Sequence, residues 1–190
     1  MSVNNREAWS SLPLTPFHYP LAYVIYRLDR RLSLPGLIVG SLLPDLEVPV
    51  IILLFGTQIP DRLVLHSLLG AATVGTLLSL IFTVLFYPLL ISAIFPVDKL
   101  MVKERCRLSF GLVLSCLLGN LSHVLLDITN HPFNPIFWPF LMPGETPSPI
   151  YLALGGMVSA SLIIHALLII LFVALFINKR EKFWEQLLVK

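Results

Sequence analysis

Three apolar stretches, residues 63–95, 108–129 and 150–177, are each long enough to cross a bilayer as a helix, for which about 20 predominantly apolar residues suffice. They constrain the fold more than any other feature. Of the 190 residues, 56% are hydrophobic and 13% charged, against roughly 45–50% and about 25% in soluble domains, so the surplus apolar surface has to face lipid. The expected fold is all-α: a polytopic membrane helix bundle forming a single integral membrane domain over residues 1–190. No internal repeat or charged linker divides it. Cys106 and Cys116 lie ten residues apart, one in a basic loop and one in an apolar helix, which implies neither a disulfide framework nor a zinc ribbon. Residues 1–15 form a polar N-terminal segment in which Arg6 and Glu7 precede any apolar run, unlike a signal peptide.

Residues 16–28 and 34–43 are apolar but too short to span, and Arg27, Asp29, Arg30 and Arg31 lie between them. They read as a short N-terminal helical hairpin with a basic tip. Beyond it come Pro44, Asp45, Glu47 and Pro49 before residues 50–55 resume the apolar run. Irregular backbone carrying two acids at membrane depth belongs against a cavity or interface. Pro88 is placed to kink or end the second long stretch and Pro132 to close the third. The total is about five helices, with an aromatic and proline-rich loop at 132–149 between the last two.

Eleven of the thirteen Lys and Arg residues fall at the hairpin tip, in segment 99–107 or after the last helix, and only Arg6 and Arg62 lie opposite. Basic residues mark the cytoplasmic side of short loops, so the expected location is the cell's inner membrane, multi-pass, with the C-terminus cytoplasmic and loop 132–149 on the other side. The net charge of +2 thus reports topology and gives no reason to expect nucleic acid.

Ionisable side chains inside apolar segments are costly and mark function by default. Here they are His18, Asp45, Glu47, His66, His123, Asp127, His131 and His165. The topology brings His18, Asp45, His66, His123, Asp127 and His131 to the non-cytoplasmic side. The sharpest local signal is GNLSHVLLDITNHPFNP, which holds Asn120, His123, Asp127 and His131. A four-residue helical step puts His123 and Asp127 on one face, with His131 at the helix end. Imidazoles beside a carboxylate suit a divalent metal, and zinc takes such ligands while keeping a position open for water at catalytic sites. Asn120 is expected to support the ligands from a second layer. Blander readings stand beside these: HxxxD as a mutually satisfied pair, His18 as a helix cap, Glu47 as an interfacial carboxylate, His165 as a core histidine, Trp138 as an interfacial anchor, and Asp61, Asp98 and Glu145 as solvated loop residues.

Together the stretches TPFHYPLA, GSLLPDLE, LHSLLG and LLGNLSHVLLDITNHPFNP resemble a bacterial and archaeal family of membrane-bound metal-dependent hydrolases, over residues 15–139. More distantly, the order His, Asp, His, HxxxD, His is similar to the zinc-dependent bacterial phospholipase C and the fungal single-strand nucleases. That resemblance implies that Asp45, His66, His123 and Asp127 hold one zinc, with Asp127 bridging to a second ion that His18 helps bind. Seventeen residues precede His18, where those enzymes use an N-terminal Trp, and Ile169 stands where they have the Glu of a later HxxxE. One or two zinc ions are expected, rather than three.

The expected activity is hydrolysis of a phosphoester in a membrane lipid by a metal-activated water, with Asp45 or Glu47 as general base. The phosphoester part comes from the resemblance alone. Two other readings fit the same residues: an intramembrane ion or proton pathway, and a metal held only for structure.

Overall fold

The computed structural model describes residues 18–56, 58–131, 134–141, 148–177 and 182–190. The polar segment 1–15 and parts of loop 132–149 lie outside the described residues, which form helices, turns and loops only.

The hairpin forms as expected. Helix α1 (Tyr19–Leu28) starts with a proline in its first turn, where a missing N–H costs nothing. At the tip the Asp29 carboxylate accepts from the Arg31 amide at 2.9 Å. Ser33 then caps α2 (Leu34–Leu42), its hydroxyl accepting from Gly36 N. The second arm differs from expectation. It does not stop at residue 43 but continues through a 3₁₀ turn (Leu43–Leu46) into α3 (Glu47–Phe55), giving an apolar helical path from Leu34 to Phe55 long enough to span. Pro44 and Pro49 do not break it because each sits in the first turn of its element, where backbone N–H groups lack intrahelical partners anyway.

The next span also starts later than the sequence suggests. Residues 63–67 are not helical, because the Glu47 carboxylate accepts from the amides of Leu63, Val64 and Leu65. Capped by Ser67, a helix then runs as α4 (Leu68–Gly70), a π-helical turn (Ala71–Gly75) and α5 (Thr76–Leu85). It breaks before α6 (Tyr87–Ile94), which carries Pro88 in its first turn. After α7 (Lys99–Arg105), Ser109 caps α8 (Phe110–Asn130), the longest unbroken span in the core. The last apolar stretch is divided into α9 (Pro149–Ala153) and α10 (Gly156–Ile177), with positive φ at Gly155 and Gly156. A short C-terminal α11 (Phe183–Leu188) tucks under the bundle, where its Leu187 and Leu188 carbonyls accept from the hydroxyls of Tyr19 and Tyr87.

The bundle is organised around α2, buried along almost its whole length, and packed chiefly on α8. Gly40 and Gly119 bring the two backbones together: a β-carbon on Gly40 would lie 2.6 Å from the Cys116 carbonyl oxygen, and one on Gly119 would lie 2.6 Å from that of Leu37. Small residues permit this approach, which membrane helices use in place of a hydrophobic driving force. Polar groups point inward, as when Asn120 donates to Ser79 Oγ at 2.9 Å. Meanwhile Leu53, Leu77, Leu85, Ile94 and Leu125 lie exposed on the outside. That inversion is the expected response to a lipid solvent. The hairpin tip and segment 99–107 share one end of the bundle, with Ser33 Oγ donating to the Arg105 carbonyl at 2.9 Å.

Candidate metal centre

Five elements deliver ionisable groups to one point at the other end. His18 precedes α1, Asp45 rides on the 3₁₀ turn, His66 ends the loop pinned by Glu47, His123 and Asp127 project from one face of α8, and His131 follows that helix's last turn. His18, His66, His123, Asp127 and His131 are all buried, Asp127 to 1% exposure. The six residues expected from the sequence are thus brought together.

Four inward atoms form a compact figure. His66 Nε2 lies 3.3 Å from His123 Nε2, and both lie 3.6 Å from Asp127 Oδ2. Asp45 Oδ1 lies 3.9 Å from the first imidazole and 3.5 Å from the second. A tetrahedral ion with bonds of about 2.0–2.1 Å places its ligand atoms about 3.3–3.4 Å apart. The His66–His123–Asp127 triangle meets that spacing closely, whereas Asp45 approaches it only toward His123 and groups with His18 and His123.

Hydrogen bonding on the far side of each ring fixes what the near side offers. His123 Nδ1 lies 2.9 Å from the Ser41 carbonyl oxygen, which only accepts, so Nδ1 carries the proton. His66 Nδ1 is held 2.8 Å from Glu47 Oε2 in the same sense. In the neutral tautomers both Nε2 atoms therefore present lone pairs to each other, an arrangement that a cation between them stabilises.

The second oxygen of Asp127 faces another pair. Its Oδ1 lies 3.6 Å from His18 Nε2 and 4.0 Å from His131 Nε2, and all three atoms are buried without a hydrogen-bond partner. Buried polar atoms are rarely left so. These orphaned atoms lie beside the His66–His123–Asp127 group, so that Asp127 faces imidazoles on both sides. His18 also stacks on His123 at 4.0 Å, which fixes both rings.

Electrostatics at the two histidines outside the spans run in opposite directions. Burial pushes the His131 imidazole down to about 3, leaving it neutral and available as a ligand. At His66 burial acts in the same direction, but the facing Asp45 and Glu47 carboxylates outweigh it and hold the imidazole above its ordinary range.

Two expected roles change. Glu47 is poorly placed as a base, because its oxygens already accept from three backbone amides and from His66. It fixes the loop and the His66 tautomer instead. Asn120 makes no hydrogen bond to the six ligand-type residues among the described residues. It donates to Ser79 Oγ and to the Cys116 carbonyl, tying α8 to α5. His165 lies half-buried on α10, outside the cluster. Substituting Glu47→Gln should weaken metal binding by about 10–100-fold, the usual effect of losing a partner that orients a ligand; competition against a chelator of known affinity measures it.

One residue of the centre was not foreseen. Arg62 is 9% exposed, and its Nε lies 3.8 Å from Asp127 Oδ2. The sequence did carry a signal, a lone basic residue on the side otherwise almost free of Lys and Arg.

The fold and the site together define a helical membrane protein with a buried histidine–aspartate cluster whose spacing could hold a metal ion. The chain belongs to the YdjM inner membrane protein family, whose model matches residues 16–189. No curated protein and no solved structure matches it.

Proposed function

We propose that this protein is a membrane-embedded metal-dependent hydrolase that cleaves a phosphoester in a lipid, using one or two divalent ions, zinc before others. One observation carries the reading: His66, His123 and Asp127 supply three buried inward atoms 3.3–3.6 Å apart, with Asp45 Oδ1 3.5 Å from His123 Nε2 and each imidazole oriented from behind. Imidazole ligands favour zinc over magnesium. Asp45, His66, His123 and Asp127 would hold one ion, and His18, His131 and the other oxygen of Asp127 a second. Bound zinc would acidify water toward a pKa of about 7 and polarise a phosphoryl oxygen.

The chain's own groups supply the rest. Asp45 Oδ2 is buried with no hydrogen-bond partner, which suits it to take a proton from the attacking water. A lipid substrate is supported by an apolar cavity of about 570 Å³ whose wall includes Tyr19, Leu43 and Leu46, sequence neighbours of His18 and Asp45, and reaches Leu187 of α11; the ligand-type residues themselves do not line it. That volume is typical of small-molecule sites. An ion pathway fits less well, because the ionisable groups crowd at one end of the bundle, and Ser41, Thr83 and Ser115 along it each donate to a carbonyl of their own helix. The site would face away from the cytoplasm, by the charge distribution of the loops.

The test is hydrolysis of phosphodiester and phospholipid by purified protein before and after chelation. Activity should vanish with the metal and return with zinc. Metal binding should also stabilise the fold by about 2.7 kcal/mol at a hundredfold excess over Kd. Zinc-loaded protein that cleaves no phosphoester would refute the proposed reaction.

A further inference from the structure

The centre holds a cation of its own that no ligand role explains. Arg62 is buried beside Asp127 with its Nε 3.8 Å from Oδ2, and that Nε has no hydrogen-bond partner. A guanidinium serving only to neutralise a carboxylate docks its fork through two parallel N–H···O bonds of about 2.7–2.9 Å. At 3.8 Å the Arg62 Nε makes no such bond. Leaving that buried N–H empty is costly unless an acceptor arrives from outside.

Charge gives that acceptor a sign. The carboxylates of Asp45, Glu47 and Asp127 against the one guanidinium leave the centre two charges negative, counting its histidines as neutral. One divalent ion brings it to neutrality, and a second would leave it positive. In either state Arg62 places a permanent positive charge beside Asp127 Oδ2, at the edge of the ligand atoms.

We infer that Arg62 is the substrate's phosphoryl-binding residue, receiving a non-bridging phosphate oxygen and selecting phosphoesters over carboxylic esters. The inference rests on the hydrolase reading for its catalytic consequence but not for its binding consequence. A planar guanidinium matches phosphate geometry in a way that lysine does not, so Arg62→Lys should be only a partial substitute.

The experiment uses the zinc-loaded, full-length protein with inorganic phosphate as the binding probe, and a soluble aryl phosphodiester and an aryl carboxylic ester as substrates. Arg62→Gln should keep its zinc content while phosphate affinity, read by titration calorimetry, falls at least ~10-fold and kcat/KM for the phosphodiester falls at least ~10²-fold. Turnover of the carboxylic ester should change by less than about 3-fold. Arg62→Lys should lie between wild type and Arg62→Gln in phosphate affinity, and it carries the test if the glutamine variant does not fold. If wild-type protein binds phosphate through Arg62 but cleaves neither ester, the hydrolase reading fails while the anion site stands. Unchanged phosphate affinity in both variants, no phosphate binding by the wild type, or loss of zinc in Arg62→Gln would overturn the inference, the last by making Arg62 a structural counter-ion.

Discussion

Asp127→Asn should abolish the centre while leaving the bundle intact. The substitution keeps the size of the side chain and its place on α8, but it removes the charge from the residue that faces His66 and His123 with one oxygen and His18 and His131 with the other. An amide offers one oxygen instead of two and is the weaker ligand. Metal content should fall, and phosphoester hydrolysis should drop at least ~10²-fold, on the order of 3 kcal/mol of transition-state stabilisation. Its position at the end of a buried helix, anchored by Asn134 donating to the carbonyls of Asp127 and His131, should preserve insertion and folding. His165→Gln, outside the cluster, should leave metal and activity nearly unchanged. The reverse pattern would move the functional centre to α10.

Gly40→Val should act on the architecture and reach the site through it. The added β-carbon meets the Cys116 carbonyl oxygen at 2.6 Å and Gly119 Cα at 3.1 Å. These are backbone atoms, so no rotamer change relieves the clash and the two helices have to separate. Overpacking of this kind typically costs about 1–3 kcal/mol, and a clash with backbone belongs at the upper end. The same separation moves the Ser41 carbonyl away from His123 Nδ1, so metal affinity should fall along with thermal stability in detergent. Leu77→Ala, on the exposed face of α5, should stay within about 0.5 kcal/mol of wild type. Equal stability of Gly40→Val and Leu77→Ala would contradict the close α2–α8 packing described above.

Much of this was readable from the chain alone because a bilayer makes the rules strict. Apolar length declared the helices, and His18, Asp45, His66, His123, Asp127 and His131 stood out simply as ionisable groups where such groups are expensive. What could not be read depended on pairing. Pro44 and Pro49 look like helix breakers in sequence, yet both fall where a helix has spare N–H groups, so residues 34–55 run on as one path. Glu47 looked like a second acid for catalysis; its main partners are backbone amides of residues 63–65, which leave no trace in side-chain pattern. Asn120, one turn from His123, faces Ser79 instead of the ligands. The close approach of Gly36 and Gly40 to α8 is seen only in the packed bundle, since small residues carry no signal of which helix they face. Arg62 was legible only as a charge on one side, because its approach to Asp127 depends on a loop shaped by Glu47.

The central claim is that these side chains bind a metal ion, and X-ray absorption combined with elemental analysis of the purified protein tests it most directly. The account predicts at least one zinc per chain, bound by nitrogen and oxygen at about 2.0–2.2 Å, with the scattering signature of two or more imidazoles and no sulfur. The zinc content should fall in Asp127→Asn. Protein that purifies without metal and neither takes up added zinc nor gains stability from it would contradict the account.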